Sequence, residues 1–278
     1  MPAIEIRPCR ATELVDASFQ LIRRYYPHLV TVSSIAMAPG LLLRILKRDE
    51  LSSPQVMLAH PMTLALVSGV TWLLLVAAGM VLTVAVSDSY LQGDVDIGRA
   101  FGVAIRKCIP VLAGEILRYI GIFAITTIAV MICAVFVAVH AGVLLIVLVP
   151  LVVWLFGYLW LRTFAVTPAI LLEGMGPVEA NFRSWRLSKD CTAHLFFSVS
   201  LAIVLSWVVN IIVSVLGATV LSQSTAAIIG AVAFIFIYPL FSAVWTLVYY
   251  DLRIRKEGFD LEIMSRELGS DAAPLPAA

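Results

Sequence analysis

Three ionisable side chains stand inside otherwise apolar stretches of this sequence, at Glu115, Arg118 and Arg162. Glu115 and Arg118 are three residues apart, a spacing that places two side chains on one face of a helix. Ionisable groups among apolar residues are costly unless they pair, so the three residues predict a small ionic cluster. Such a cluster serves either as a solute or proton site or as a neutral structural pair, with arginines extending to the headgroups. The structural role is the favoured interpretation.

The rest of the sequence offers no familiar catalytic or metal-binding pattern. The histidines lack HExxH spacing, the cysteines lack CxxC or metal-ligand spacing, and GxGxxG, GxxxxGKS/T and GxSxG motifs are absent. The histidines are His28, His60, His140 and His194, and the cysteines are Cys9, Cys108, Cys133 and Cys191. We therefore predict free thiols, no cofactor, no bound metal and no enzymatic activity.

The composition determines which elements position these residues. Of the 278 residues, 61% are hydrophobic and only 13% are charged, far from the balance of a water-soluble domain. Inside lipid a helix satisfies every backbone polar group within its own segment, so helices are the expected structure. The fold class predicted is an all-α integral membrane bundle that forms a single domain over residues 1–278. A net charge of +1 gives no indication of a nucleic-acid partner.

Six apolar runs between polar connectors predict six transmembrane helices. The runs cover residues 28–46, 62–87, 111–139, 142–166, 194–221 and 225–250. The first run is the weakest, because it contains Pro39, Gly40 and Arg44. Short polar turns make the third and fourth runs, and the fifth and sixth, into tight hairpins.

Basic residues are concentrated on alternate connectors, before the first run and after the second, fourth and sixth. Lys and Arg are retained on the cytoplasmic side of short loops, so this distribution places both termini in the cytoplasm. The predicted location is the cell membrane, the inner membrane of a bacterium. Residues 251–278 are predicted to be a cytoplasmic tail with a disordered end.

Three connectors share a pattern that indicates an internal repeat. Each contains an alanine followed six residues later by an arginine, in the pairs Ala17–Arg23, Ala100–Arg106 and Ala180–Arg186. The connectors have apolar and basic faces at helical spacing, which is typical of helices on a membrane surface. The predicted unit is a surface helix followed by a membrane hairpin, repeated over residues 11–87, 94–166 and 174–250.

The basic connectors also form a candidate surface for anionic lipid headgroups or for a membrane or cytoplasmic protein partner. Its members are Arg23, Arg106, Arg183, Trp185, Arg186, Lys189, Arg253, Arg255 and Lys256. A basic residue near an anionic membrane contributes about 1 kcal/mol, although the same residues also serve as topology signals. The acidic residues Asp251, Glu257 and Asp260 interrupt the last basic run. Ion pairs between them and the Arg183/Arg186 connector, which would lock the cytoplasmic layer, are favoured over a dedicated ligand site.

Two segments resemble a known family. They are residues 168–174 with 183–187, and residues 249–262, where the sequence reads YYDLRIRKEGFDLE. The chain resembles the bacterial glycerophosphodiester phosphodiesterase membrane-domain family over most of its length in hydropathy, with its specific content in these two segments. The resemblance implies a membrane region without the barrel-shaped catalytic domain of its multidomain relatives, so the family's enzymatic activity does not carry over.

Three functions are compatible with these observations. The leading hypothesis is a non-enzymatic membrane module that scaffolds a partner or organises anionic lipid through its basic helices. The second is a transporter or lipid-translocating protein, suggested by the hairpin repeat and the ionic cluster. The third is an intramembrane enzyme, for which no nucleophile, base or metal site can be named.

Overall fold

A computed structural model of the chain describes residues 10–50, 54–138, 145–220 and 223–261, and within these ranges every regular element is a helix. The ten α-helices are α1 (Ala11–Leu46), α2 (Pro54–Ala59), α3 (Pro61–Leu91), α4 (Ile97–Arg106), α5 (Cys108–Ala138), α6 (Leu145–Arg162), α7 (Val166–Pro168), α8 (Pro177–Leu187), α9 (Thr192–Val220) and α10 (Gln223–Glu257). A π-helical turn, Ala169–Glu173, continues α7.

Five helical segments are long and apolar enough to cross a membrane. They are Thr12–Leu46, Pro61–Leu91, Cys108–Val135, Ile146–Glu173 and Ile228–Glu257. The segments Pro177–Leu187 and Thr192–Val208 meet the same criteria only when taken together, and they are bent by 102° at their junction, so they form either a broken span or a re-entrant loop. These segments confirm the predicted all-α polytopic bundle, and the chain is a multi-pass membrane protein.

The connectors differ from one another in structure. Two of them are separate short helices, α4 and α8, as the amphipathic pattern predicts. The first connector is not a separate helix, because α1 runs without interruption from this connector into the first span, through Pro27 and Pro39. Proline is tolerated inside membrane helices where neighbouring groups satisfy the freed backbone. The alanines of the proposed repeat face inward, with Ala100 and Ala180 fully buried, and the repeat itself stays a prediction.

The spans form two groups. Helices α1, α3, α9 and α10 pack together, and buried Leu29, Val32, Leu82 and Val248 lie in their shared core. Helices α5 and α6 pack against each other and join the rest largely through α7 and α8. Large apolar side chains on the outer faces of α5 and α6 are exposed, as expected of surfaces solvated by lipid.

The fourth span departs from its predicted bounds of 142–166. Helix α6 ends at Arg162, a turn follows, and α7 with its π-turn extends the span to Glu173. Gly174, with φ +77°, then reverses the chain in a conformation that glycine adopts without strain. Helix α10 likewise continues beyond the predicted limit of 250 to Glu257. The predicted short turn at His140 and the tail from residue 262 lie outside the described residues.

Candidate functional site

Most basic residues near the ends of α8 and α10 are engaged in ion pairs. Arg183 donates from Nε and Nη2 to the two carboxylate oxygens of Glu173, at 3.0 and 3.1 Å. The same guanidinium donates to both oxygens of Glu257, with Nη2 to Oε2 at 2.7 Å. Tyr249 donates its hydroxyl to Glu173, and Arg253 lies 3.5 Å from the same carboxylate and 4.0 Å above the ring of Phe259. The structure thus brings the predicted pair Arg183 and Glu257 together.

The other predicted locking residues have different partners. Asp251 is buried and interacts with His194 at 2.9 Å and with Arg255 at 2.7 Å, so it contacts the start of α9 rather than the α8 arginines. Lys256 lies 3.4 Å from Asp190 in the turn between α8 and α9. Asp260 is half-buried in the short helical turn that follows Gly258.

Four basic members of the predicted surface remain exposed at this end of the bundle, and none has an ion-pair partner among the described residues. They are Arg23 on α1, Arg106 on α4, and Arg186 and Lys189 at the end of α8. Trp185, between Arg186 and the ion-paired Arg183, is 41% exposed. The candidate surface therefore contains fewer basic residues that are free to bind a ligand than the sequence predicts.

Glu115 and Arg118 form a buried ion pair inside the span formed by α5. Arg118 Nη2 lies 2.9 Å from Glu115 Oε2, and both side chains are less than a tenth exposed. Thr167 donates its hydroxyl to the other carboxylate oxygen at 2.6 Å. Arg118 also donates to the Tyr119 hydroxyl at 3.1 Å and stacks on its ring at 4.8 Å. Thr167 is a site residue that sequence reasoning missed.

Arg162, the third member of the predicted cluster, lies elsewhere. Its guanidinium carbon is 4.3 Å from the centre of the Trp185 ring and 5.8 Å from that of Tyr158. The residue is only 5% exposed, and no carboxylate among the described residues pairs with it. The prediction of one three-residue cluster is therefore corrected. Arg162 lies apart from the other two residues because α6 ends at Arg162 and its side chain points toward α8. The chain that follows places Thr167, instead of Arg162, beside Glu115.

Two serines hold α8 against this end of α6. Ser184 and Ser188, which are fully buried, donate their hydroxyls to the Arg162 carbonyl oxygen at 3.0 and 3.1 Å. Ser184 also accepts a hydrogen bond from the Ala165 amide at 2.9 Å. Because Ser184 lies on α8 and Ser188 follows its last residue, the same contacts bring Trp185 over the Arg162 guanidinium.

The Glu115–Arg118 pair faces a cavity of about 200 Å³. Its walls are predominantly aromatic and come from α3, α5, α10 and the segment from α6 to α7. The aromatic lining residues are Trp72, Tyr119, Trp160, Phe164, Tyr238, Phe241 and Trp245. Sequence reasoning identified the ion pair but not this lining, because residues up to 173 positions apart meet only in the folded bundle.

A second cavity, of about 380 Å³, lies between α1, α3 and α10. Arg44 is one of its lining residues. Leu75 lines both cavities, and its carbonyl oxygen accepts a hydrogen bond from Tyr238 at 2.9 Å. The ring of Tyr238 also packs on Phe234, which lines the second cavity, with centroids 5.5 Å apart. Leu75, Phe234 and Tyr238 thus lie where the two cavities adjoin.

Among the described residues, no group of three or more His, Cys, Asp or Glu side chains is arranged to hold a metal ion. No protein-family model, curated protein or solved structure matched the chain. The likeness to the membrane-domain family therefore stays a prediction from its two sequence segments.

Proposed function

We propose that this chain is a non-enzymatic membrane protein that binds anionic phospholipids at the cytoplasmic edge of a bacterial cell membrane. The proposal includes the predicted orientation, with both termini inside, and membership of the membrane-domain family. The observation that carries it is the buried guanidinium of Arg162, which has aromatic neighbours but no carboxylate partner among the described residues.

A buried positive charge is strongly unfavourable unless an anion or a set of acceptors compensates it. The rings of Trp185 and Tyr158 supply cation–π attraction, which contributes about 0.5–2 kcal/mol and replaces only part of the lost hydration. The Nε atom of Arg162 lies buried without an acceptor among the described residues. A lipid phosphate at this edge would supply both the charge and the acceptor oxygens.

The surroundings of Arg162 suit a phospholipid. Trp154 stacks on Tyr158 and is 62% exposed, as an aromatic side chain at a lipid-facing interface is expected to be. Arg186, on the same helix as Trp185, and Lys189, in the turn after that helix, are both exposed and add positive charge next to the site. Each basic residue near an anionic membrane surface contributes about 1 kcal/mol.

The ion-paired residues take a different part in this proposal. Arg183 and Arg253 are held by Glu173 and Glu257, so their charge is already balanced within the protein. We assign them to locking the layer between α8 and α10. We assign headgroup binding to Arg162, Arg186 and Lys189. The ring of Trp185 packs against the Arg162 guanidinium in this site.

Native mass spectrometry of the purified protein tests the proposal. The protein is titrated with phosphatidylglycerol and with phosphatidylcholine of the same acyl chains, and bound lipid is counted. We expect preferential retention of phosphatidylglycerol, and a loss of that preference of about a hundredfold when Arg162, Arg186 and Lys189 are all changed to glutamine.

The matched control changes two exposed basic residues that have acidic partners, Arg255→Gln and Lys256→Gln. These changes should leave the lipid preference unaltered, because Asp251 and Asp190 already balance both charges. The proposal is rejected if the triple variant keeps the wild-type preference, or if the control variant loses it equally.

Transport or lipid translocation is the second candidate function. The specific observation in its favour is the pair of cavities that adjoin at Leu75 and Tyr238, between helices that cross the membrane. Flux of lipid or solute in reconstituted vesicles, compared between wild type and Tyr238→Phe, tests it. Absence of flux in both proteins would count against it.

A further inference from the structure

We infer that the aromatic cavity beside Glu115 and Arg118 is a binding site for a small uncharged amphiphile with a hydroxyl-bearing head, such as an alcohol or a glyceride. This site is separate from the Arg162 edge. It rests on the cavity walls and on the two charged residues that line it.

The walls provide an apolar environment with few polar groups. Seven aromatic rings line the cavity, together with Leu75, Val76 and Gly79, and the polar lining is confined to Glu115, Arg118, Thr83, Thr167 and Ser242 besides the aromatic hydroxyls. Ligand sites are usually concave and mainly apolar, with a small number of converging polar groups that orient the ligand. The side chains around Glu115 have that composition.

The charges define the head of the ligand. Glu115 and Arg118 are the only charged lining residues that the structure describes, and at 2.9 Å they compensate one another. A ligand with a net charge would leave one charge uncompensated within the membrane, which is unfavourable. An uncharged head that both donates and accepts hydrogen bonds can interact with the carboxylate and the guanidinium together. A hydroxyl is the simplest such head.

The size limits how much of the ligand enters. A cavity of about 150 Å³ is large enough for benzene, and this one measures about 200 Å³. It accommodates a hydroxyl head and a few carbons. The cavity is partly open, so a longer chain would continue outward through the opening.

The three tryptophans that line the cavity, Trp72, Trp160 and Trp245, provide a direct measurement. Bromine quenches indole fluorescence on contact, so we use three probes with the same brominated chain and different heads. They are 6-bromohexanol, 6-bromohexanoate and (6-bromohexyl)trimethylammonium. The background protein carries Trp154→Phe, Trp185→Phe and Trp207→Phe, which removes the exposed indoles that micelle-bound probe would quench.

In the background protein, 6-bromohexanol should quench saturably, with an apparent affinity about tenfold above that of either charged probe. Glu115→Gln leaves the Arg118 charge unbalanced and should shift the preference to 6-bromohexanoate. Arg118→Gln leaves the Glu115 charge and should shift it to the trimethylammonium probe. The two reversals are opposite in sign, which a general loss of structure would not produce.

The comparison of the three probes needs no folded variant at Glu115 or Arg118. Tighter binding of a charged probe than of the alcohol in the background protein overturns the inference. Linear, non-saturating quenching by all three probes overturns it as well, since that result describes partition into the micelle. Neither outcome bears on the lipid preference assigned to Arg162, which mass spectrometry measures separately.

Discussion

Arg183 on α8 donates to both carboxylate oxygens of Glu257, which lies 74 residues later in the chain at the end of α10. The same guanidinium holds Glu173 at the end of the π-turn. One side chain therefore joins α8 and the neighbouring π-turn to the end of α10, which is distant in the sequence. The Arg183 side chain is only 15% exposed, so water screens its ion pairs less than it would on an open surface.

Arg183→Gln should lower the free energy of unfolding by about 1–3 kcal/mol, because Glu173 and Glu257 lose their shared arginine donor and are left with Tyr249 and Arg253. Thermal unfolding in detergent, followed by circular dichroism, measures the loss. The matched control is Arg186→Gln, three residues further along α8, which is exposed and should change stability by no more than about 0.5 kcal/mol. Equal effects of the two changes would contradict the locking role.

Gly114 and Gly121 form a matched pair on α5. A Cβ at Gly114 would lie 2.7 Å from Ile170 Cδ1 and 3.1 Å from Val166 Cγ1, whereas nothing lies within 4 Å of one at Gly121. Gly114→Ala should therefore be less stable than Gly121→Ala by about 1–3 kcal/mol, since overpacking opposes the usual gain in helix propensity. Thermal unfolding of the two variants compares them directly, and the reverse order would show that α5 does not pack on α7 this closely.

Ser184→Ala removes a buried hydroxyl that both donates to the Arg162 carbonyl and accepts from the Ala165 amide. The Ala165 amide then has lost its acceptor and the Arg162 carbonyl keeps Ser188 as its donor, which should cost about 1–3 kcal/mol. Ser206→Ala is the control, because among the described residues that hydroxyl donates to the Ala202 carbonyl of its own helix and to no other element. If both serine changes have the same small effect on the melting temperature, the hydroxyl of Ser184 does not hold α8 to α6.

Cysteine labelling tests the proposed orientation. In a background without the native cysteines, Asp49→Cys places a thiol at a side-chain position that is 96% exposed, in the turn after α1. Lys189→Cys places one in the turn after α8. A membrane-impermeant maleimide should label position 49 in intact cells and position 189 only after permeabilisation. The opposite pattern would invert the topology and place the basic surface outside.

Hydrophobicity was sufficient to predict the helical class and five of the six predicted spans, because lipid imposes a length and an apolar composition on each span. The short helices α4 and α8 also followed from periodicity, and Glu115 and Arg118 meet as their three-residue spacing predicts. These features depend on residues that are near one another in the chain.

Features that depend on distant residues were not predictable. The sequence grouped Arg162 with Glu115 because both stand in apolar runs, but α6 ends at Arg162 and turns it toward Trp185. The continuity of α1 through two prolines was missed because proline is read as a helix breaker, whereas a membrane helix has other means of satisfying its backbone. The sequence also could not show which arginines have acidic partners, because these ion pairs depend on how α8 and α10 pack together.

The serine contacts to Arg162 have a consequence for biogenesis. The carbonyl at the end of α6 receives its hydrogen bonds from residues 22 and 26 positions later in the chain. A ribosome therefore finishes the hairpin of α5 and α6 before the donors that complete it have been made. A carbonyl that has lost water without gaining a donor is costly, so this end of α6 should stay hydrated at the membrane edge until α8 has emerged and docked on it.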